Sequence, residues 1–169
     1  LSAIKSLGRP VIEAVVAERQ AHGIYRDLRD FITRLSGREV NKRTIESLIK
    51  SGAFDSFGLN RRQMMLVYSD VMEHVAHERK ESVSGQMSLF DMFEPEDKPD
   101  EIIVPDVPEY SRDEVLVMEK EVLGVYISGH PLDEYKALWE KNITNMCSDF
   151  ERDDETGQAK VNDAEKVIA

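Results

Sequence analysis

Ile4-Lys5-Ser6-Leu7-Gly8-Arg9-Pro10-Val11-Ile12 is the stretch on which the reading of the fold turns. Residues 1–7 read as the last turns of a helix. Gly8 breaks that helix, and Pro10 suits the first turn of a new one. The new helix sets Ile12, Val15 and Val16 on one face, with Glu13, Glu18 and Arg19 largely off it. It ends near His22-Gly23. Helix, glycine turn and helix together make a helix–hairpin–helix unit. The free N–H groups of the hairpin and the positive dipole end of the second helix form an anion site. Lys5 and Arg9 flank it. Such hairpins usually carry two glycines around one apolar residue; in Ser6-Leu7-Gly8 the first is a serine.

Moving outward, Tyr25, Leu28, Phe31, Ile32 and Leu35 recur at helical spacing and imply a packing helix closed by Ser36-Gly37. Asn41 is a good N-cap for a helix carrying Ile45, Leu48 and Ile49, which stops at Gly52. Phe54 and Phe57 plug the connection. Gly58 turns the chain, and Asn60 caps the next helix with Gln63 in capping-box position. Met64, Met65, Val67, Tyr68, Val71, Met72 and Val75 line that helix. A second helix–turn–helix arrangement results, with Lys50, Arg61 and Arg62 at its turn. Residues 1–79 therefore read as a tandem helix–hairpin–helix domain able to track both strands of a duplex. The competing reading is an ordinary helical bundle whose turns are basic.

Residues 80–110 read as a flexible acidic linker. Ser82, Ser84, Gly85, four prolines and a run of Asp and Glu leave little to bury. Inside it stands Gln86-Met87-Ser88-Leu89-Phe90, followed by Met92-Phe93. A short apolar cluster in a polar tether is suited to docking in another protein's groove. Ile102, Ile103 and Val104 form a short extended segment to be laid against a neighbour. Ser111 and Glu114 start a capping box, and Val115, Leu116, Met118, Val122 and Leu123 line a helix that Gly124 ends. Residues 111–140 form a helical connector, with a turn at Ser128-Gly129-His130-Pro131 and a last helix marked by Leu132, Tyr135, Leu138 and Trp139. Residues 141–169 read as an acidic tail, in which Val161 and Val167-Ile168 hint at a strand.

The net charge of −11 hides an asymmetry: residues 1–80 hold 14 Lys and Arg against 10 Asp and Glu, and residues 81–169 hold 8 against 23. The first half is suited to phosphates, and the second is largely solvated acid. A single cysteine, Cys147, excludes an internal disulfide framework and fits a reducing cytosol. No apolar run approaches the ~20 residues of a membrane span. A chain that opens at Leu1 within an amphipathic segment reads as a piece of a longer protein.

Four strings then carry a resemblance. They are Leu1-Ser2-Ala3-Ile4-Lys5; Asn41-Lys42-Arg43 with Leu48-Ile49-Lys50-Ser51-Gly52-Ala53-Phe54-Asp55; Gln86–Phe90; and Leu123-Gly124-Val125-Tyr126-Ile127-Ser128-Gly129-His130-Pro131-Leu132-Asp133-Glu134-Tyr135. In this order they resemble the alpha subunits of bacterial DNA polymerase III, family C, of the DnaE type, over about residues 1–140. The resemblance implies a mainly α segment that follows the polymerase core and holds duplex DNA without sequence preference. It implies that Gln86, Met87, Ser88, Leu89 and Phe90 bind the sliding clamp (beta subunit), with Met87 in a place where strong versions carry Leu, a near volume-conserving change. It implies that residues 141–169 lead into a truncated OB-fold. The parent would be a cytoplasmic DNA-directed DNA polymerase using Mg2+ and dNTPs, with its catalytic carboxylates upstream and other replicase subunits as partners.

No catalytic constellation stands out, and no cofactor is expected in this segment. His74 and His77 are spaced to share a metal, but no third ligand accompanies them, so they read as solvated surface residues. His130 reads as a cap for the helix after Pro131. Asp153-Asp154-Glu155 reads as an acidic loop and Cys147 as a half-buried thiol. The DNA-binding candidates are Lys5, Gly8, Arg9, Asn60, Arg61 and Arg62, with Lys42 and Arg43 at a different helix start. The alternative function is a helical protein-interaction adaptor with no DNA role.

Overall fold

A computed structural model describes residues 2–35, 37, 40–84, 102–145, 147–151 and 161. The described residues are helical, with no strand among them. The helices are α1 (Arg9–His22), α2 (Leu28–Leu35), α3 (Lys42–Lys50), α4 (Arg61–Ser84), α5 (Arg112–Leu123) and α6 (Lys136–Asn142). No helix among the described residues is long and apolar enough to cross a membrane. The chain forms two units, Leu1–Ser128 and Gly129–Ala169.

Local caps set most helix boundaries in the first unit. Asn41 Oδ1 accepts the Thr44 N–H at 2.9 Å and starts α3. Asn60 and Gln63 bond reciprocally at the start of α4, at 2.8 and 3.1 Å. Ser111 and Glu114 do the same at the start of α5. These satisfy N–H groups that a helix start leaves without partners. Gly52 takes φ +76° after α3, and a Cβ there would stand 2.3 Å from Arg61 Nη2. Only glycine fits that position.

The core follows the apolar periodicity. Leu35, Ile45, Ile49 and Met64 have no exposed surface, with Leu48, Phe31, Phe54, Val67 and Val71 around them. Helices α2 and α3 pack on α4, and α5 packs on α3. Two distant pieces complete the cluster: Ile4 before α1 and Val122 at the end of α5.

Several expectations are corrected. Residues 2–6 form turns rather than the end of a helix, because Ser6 takes φ +69°, which no α-helix accommodates. The buried face of α1 is Val11, Val15 and Glu18, while Val16 is 43% exposed. Glu18 lies inward because Arg34 meets it at 3.2 Å.

The stretch 80–110 is not linker throughout. Helix α4 runs to Ser84, and residues 102–110 are clasped to the start of α4. Ile102 packs against the core, Gln63 Nε2 donates to the Pro105 carbonyl at 3.0 Å, and Asn60 Nδ2 donates to the Val107 carbonyl at 2.8 Å. Residues 111–128 likewise belong to the first unit rather than to a connector ending at 140. The stretch Gln86–Phe90, expected to bind a clamp, lies outside the described residues, as do Asp153-Asp154-Glu155 and Val167-Ile168.

In the second unit, the His130 ring accepts the Leu132 N–H at 3.2 Å and Asp133 accepts the His130 N–H at 2.8 Å. His130 is thus the expected cap, here of a 3-10 turn, Pro131–Tyr135, that runs into α6. Leu132, Tyr135 and Leu138 are exposed. Cys147 is exposed as well, against the expected half-buried thiol, since a short 3-10 turn, Cys147–Phe150, has no buried residue of its own.

Candidate nucleic-acid interface

The first hairpin is built from backbone. The Lys5 N–H donates to the Val122 carbonyl at 2.8 Å, and the Leu7 N–H to the Ile4 carbonyl at 3.4 Å. Ile4 is buried beneath it. Ser6 occupies the left-handed conformation that a glycine would adopt without steric cost. It is the residue that sequence reading noticed as a departure without foreseeing its conformation.

Gly8 then stands at the N-cap of α1 in extended geometry, with no side-chain cap bond, and the first turn of α1 holds no acid. Pro10 has no N–H to satisfy there. A helix start of this kind offers partial positive charge and backbone donors to an anion. Lys5 is exposed beside it. Arg9 is 89% exposed at its side chain and pairs with Glu13 at 2.8 Å. An ion pair this exposed is worth little and is readily exchanged for a phosphate.

The second hairpin differs. The Arg61 and Arg62 N–H groups donate to the two oxygens of the Glu109 carboxylate, at 2.8 and 3.2 Å. The chain's own acid therefore sits where an anion would bind. Sequence reading missed Glu109, since an acid 48 residues away carries no local capping pattern.

Arg61 is not at the surface. It is 5% exposed, and its guanidinium makes a bidentate pair with Asp55 at 2.9 and 2.7 Å. It also reaches Glu119 at 3.2 Å and the Lys50 carbonyl at 3.3 Å. The hydrogen bond to Asp55 raises the Arg61 pKa against the opposing effect of burial. Glu119 has no exposed surface. Burial pushes its carboxyl up, but bonds from the Ser128 hydroxyl, the Ser128 and Ile127 N–H groups and Arg61 hold it below its usual value. This cluster ties the hairpin, α4, α5 and residues 127–128 together. The periodicity of α5 gave no sign of it.

The remaining candidates fall into two sets. Lys42 is held by Ser69 at 2.6 Å and Glu73 at 3.0 Å. Asn60 is committed to its cap and to Val107. Arg43 is exposed. Arg62 is exposed and lies 5.8 Å over the Tyr110 ring. Lys5, Gly8 and Arg9 are thus all exposed around the first hairpin, whereas Lys42, Asn60 and Arg61 are committed to partners within the chain and Arg43 and Arg62 are exposed. No group of three or more His, Cys, Asp or Glu side chains among the described residues is arranged to hold a metal.

A family model described as a helix-hairpin-helix motif matches residues 1–64. Three curated relatives share the name DNA polymerase III subunit alpha. The protein of Chlamydia pneumoniae is 38% identical over 153 residues, 89% of this chain and 12% of that protein. That of Borreliella burgdorferi is 40% identical over 152 residues, 89% of this chain and 13% of the relative. That of Deinococcus radiodurans is 39% identical over 141 residues, 83% of this chain and 10% of the relative. The chain spans about an eighth of the length of the first two.

Proposed function

We propose that the chain is a small part of a DNA polymerase III alpha subunit, the name its curated relatives carry, and that it holds duplex DNA and tethers its polymerase to the sliding clamp. The polymerase reaction, with its Mg2+ and dNTPs, is a property proposed for the parent protein; the role proposed for this segment is non-catalytic, in the cytoplasm and among other replicase subunits.

The observation that carries the DNA reading is the open start of α1, uncapped and free of acid, with Lys5 and Arg9 exposed beside it. Backbone N–H groups and point charges meet phosphates, not base edges, so binding has no sequence preference. Gly8 lets the duplex backbone come close. Arg43 and Arg62 supply weaker, long-range attraction.

The tether reading rests on the sequence of Gln86–Phe90 alone. The Gln86 amide can bond at a pocket rim while Leu89 and Phe90 fill an apolar pocket, with most of the energy in those two anchors.

Duplex binding measured against salt tests the first half. A few phosphate contacts predict a log–log slope of about −3 to −5, and Lys5→Ala with Arg9→Ala should flatten it by about 2 while weakening all sequences alike. An unchanged slope in that variant would remove hairpin 1 from the interface. For the second half, Leu89→Ala with Phe90→Ala should abolish binding to purified clamp without altering the circular dichroism of the chain. Retained clamp binding would reject the peptide and leave the DNA half standing. Binding to other proteins with no affinity for duplex, even at low salt, would favour the adaptor instead.

A further inference from the structure

We propose that the groove between the end of α1, residues 24–26, α2 and the 3-10 turn Asp55–Phe57 is a docking surface for an acidic peptide segment of another protein, one that carries a large apolar side chain. This goes beyond DNA holding and clamp tethering and uses none of the residues assigned to them.

The groove encloses about 530 Å3 and is lined by Val15, Ile24, Tyr25, Phe31, Phe54 and Phe57, with Arg19 and Arg26 among its charged lining. A volume of that order accommodates a few large side chains. No acid contributes to the lining. The electrostatic complement is therefore an anionic partner. Arg26 is 81% exposed at its side chain, with Asp30 3.5 Å from one of its nitrogens, and Arg19 is exposed. Ile24 is 71% exposed at the groove, an apolar side chain that gains from being covered.

The floor is fixed in advance. Tyr25 packs edge-on against Phe31, Phe31 edge-on against Phe54, and Phe54 stacks on Phe57, each pair with centroids 4.8 Å apart. The Tyr25 hydroxyl donates to the Val15 carbonyl at 2.9 Å, and Arg34 covers the Tyr25 ring at 4.3 Å. A rigid floor spares a ligand the cost of ordering it.

The same geometry disfavours single-stranded nucleic acid. Base stacking needs aromatic faces presented to solvent, and here Phe31 and Phe54 are 2% and 3% exposed. Phe57 stacks on Phe54 and Arg34 covers the Tyr25 ring, so the most exposed apolar side chain offered is Ile24, which suits an inserted side chain. The groove takes Arg19 from the C-terminal half of α1, 10 residues along the helix from Arg9 at its open start. That is about 15 Å at 1.5 Å per residue, far enough for a peptide anchored on Ile24 and Arg26 and a duplex to bind together.

The test uses the full chain, isotopically labelled, and a synthetic probe peptide Asp-Glu-Phe-Glu-Asp-Leu, alone and with duplex present. The expected result is amide shifts at Ile24, Tyr25, Ala53 and Ser56 with duplex affinity unchanged. Affinity for the peptide should fall about tenfold or more in Ile24→Ser and again in Arg19→Glu with Arg26→Glu, losses typical of a central anchor and of reversed charge. All three side chains are exposed, so these variants fold. Absence of shifts at about 1 mM peptide, a concentration that still detects the weakest specific binding, would overturn the proposal. So would oligothymidine producing the same shifts, which would give the groove to nucleic acid. Peptide binding that emerges only after deletion of residues 86–100 would give the groove to the chain's own acidic stretch and equally overturn a partner in trans.

Discussion

At the first hairpin the start of α1 has no side-chain cap and no acid in its first turn, whereas at the second the start of α4 is closed by Asn60, Gln63 and the Glu109 carboxylate. The two also differ in how the turn is made. The first uses a serine at positive φ, the second a glycine against which Arg61 packs. Both sites began as the same element, a helix start with orphan N–H groups. One leaves those groups without a side-chain cap and is the one proposed to meet an external anion. The other has used them to fasten residues 102–110 and α5 onto the body. Of the two hairpins, one is thus structural and the other is the proposed binding element.

The largest way to break this contrast is Arg61→Ala. If the second hairpin is structural, removing a guanidinium that bridges Asp55 and the fully buried Glu119 should cost about 3–5 kcal/mol, because an uncompensated buried charge remains. Chemical denaturation would show it. A surface arginine devoted to phosphate would instead leave stability within about 0.5 kcal/mol of the parent.

The same cluster sets a pH dependence. Glu119 has its pKa lowered in the folded chain, so it binds fewer protons when folded than when unfolded around its usual value of 4.5. Its contribution is therefore complete above that value and is lost as pH falls through the lower folded value. Thermal melts across acid pH should show stability declining below about pH 4.5 in the parent and declining less steeply in Glu119→Gln, which is itself less stable. Equal slopes in the two would remove Glu119 from the acid transition.

Much of this contrast was out of reach of local patterns, for a reason the residues make plain. The caps at Asn41, Asn60 and Ser111 were legible because their partners stand three residues on. The helices of the core were legible because burial follows a 3.6-residue period. Glu18, Arg61 and Glu119 stand on that same period, but as charged residues they gave no apolar signal, and their inward placement depends on partners as far as 16 and 58 residues away. Ile102 packs on the core, in the extended segment expected to lie against a neighbour, but residues 105–110 were misread through composition: prolines and acids suggested a free linker, yet the carbonyls of Pro105 and Val107 and the side chain of Glu109 do the fastening. Of the site, the basic residues and Gly8 were visible. That Arg61 faces inward and that Glu109 fills the second anion position were not.

Smaller effects sharpen the comparison. Glu109→Ala should lower stability by about 1 kcal/mol, the usual worth of a carboxylate at a helix start. It should also raise duplex affinity and steepen the salt slope by up to about 1, as the second helix start becomes free for a phosphate. Loss of stability with no change in slope would show that the second hairpin faces away from DNA.

The smallest expected effect is at Ser6. Ser6→Gly relieves a left-handed conformation worth about 1–2 kcal/mol to a non-glycine residue, offset by the greater freedom of the unfolded chain, about 0.5–1 kcal/mol. A net gain near 0.5 kcal/mol on these terms and undiminished duplex binding are expected. A destabilised variant would mean that the serine side chain matters to the turn.

The bond from the Lys5 N–H to the Val122 carbonyl has a consequence in time. The two residues lie more than a hundred positions apart, so the first hairpin turn is finished by a helix made well after it. At synthesis rates of about 5–20 residues per second, that helix emerges roughly 5–20 s after the turn it completes. Nascent chains halted before α5 should therefore leave the Lys5 amide in rapid hydrogen exchange, and chains carried past Ser128 should protect it. The hairpin proposed to grip DNA is then among the last parts of its unit to mature, and the early chain meets nucleic acid with its grip unformed.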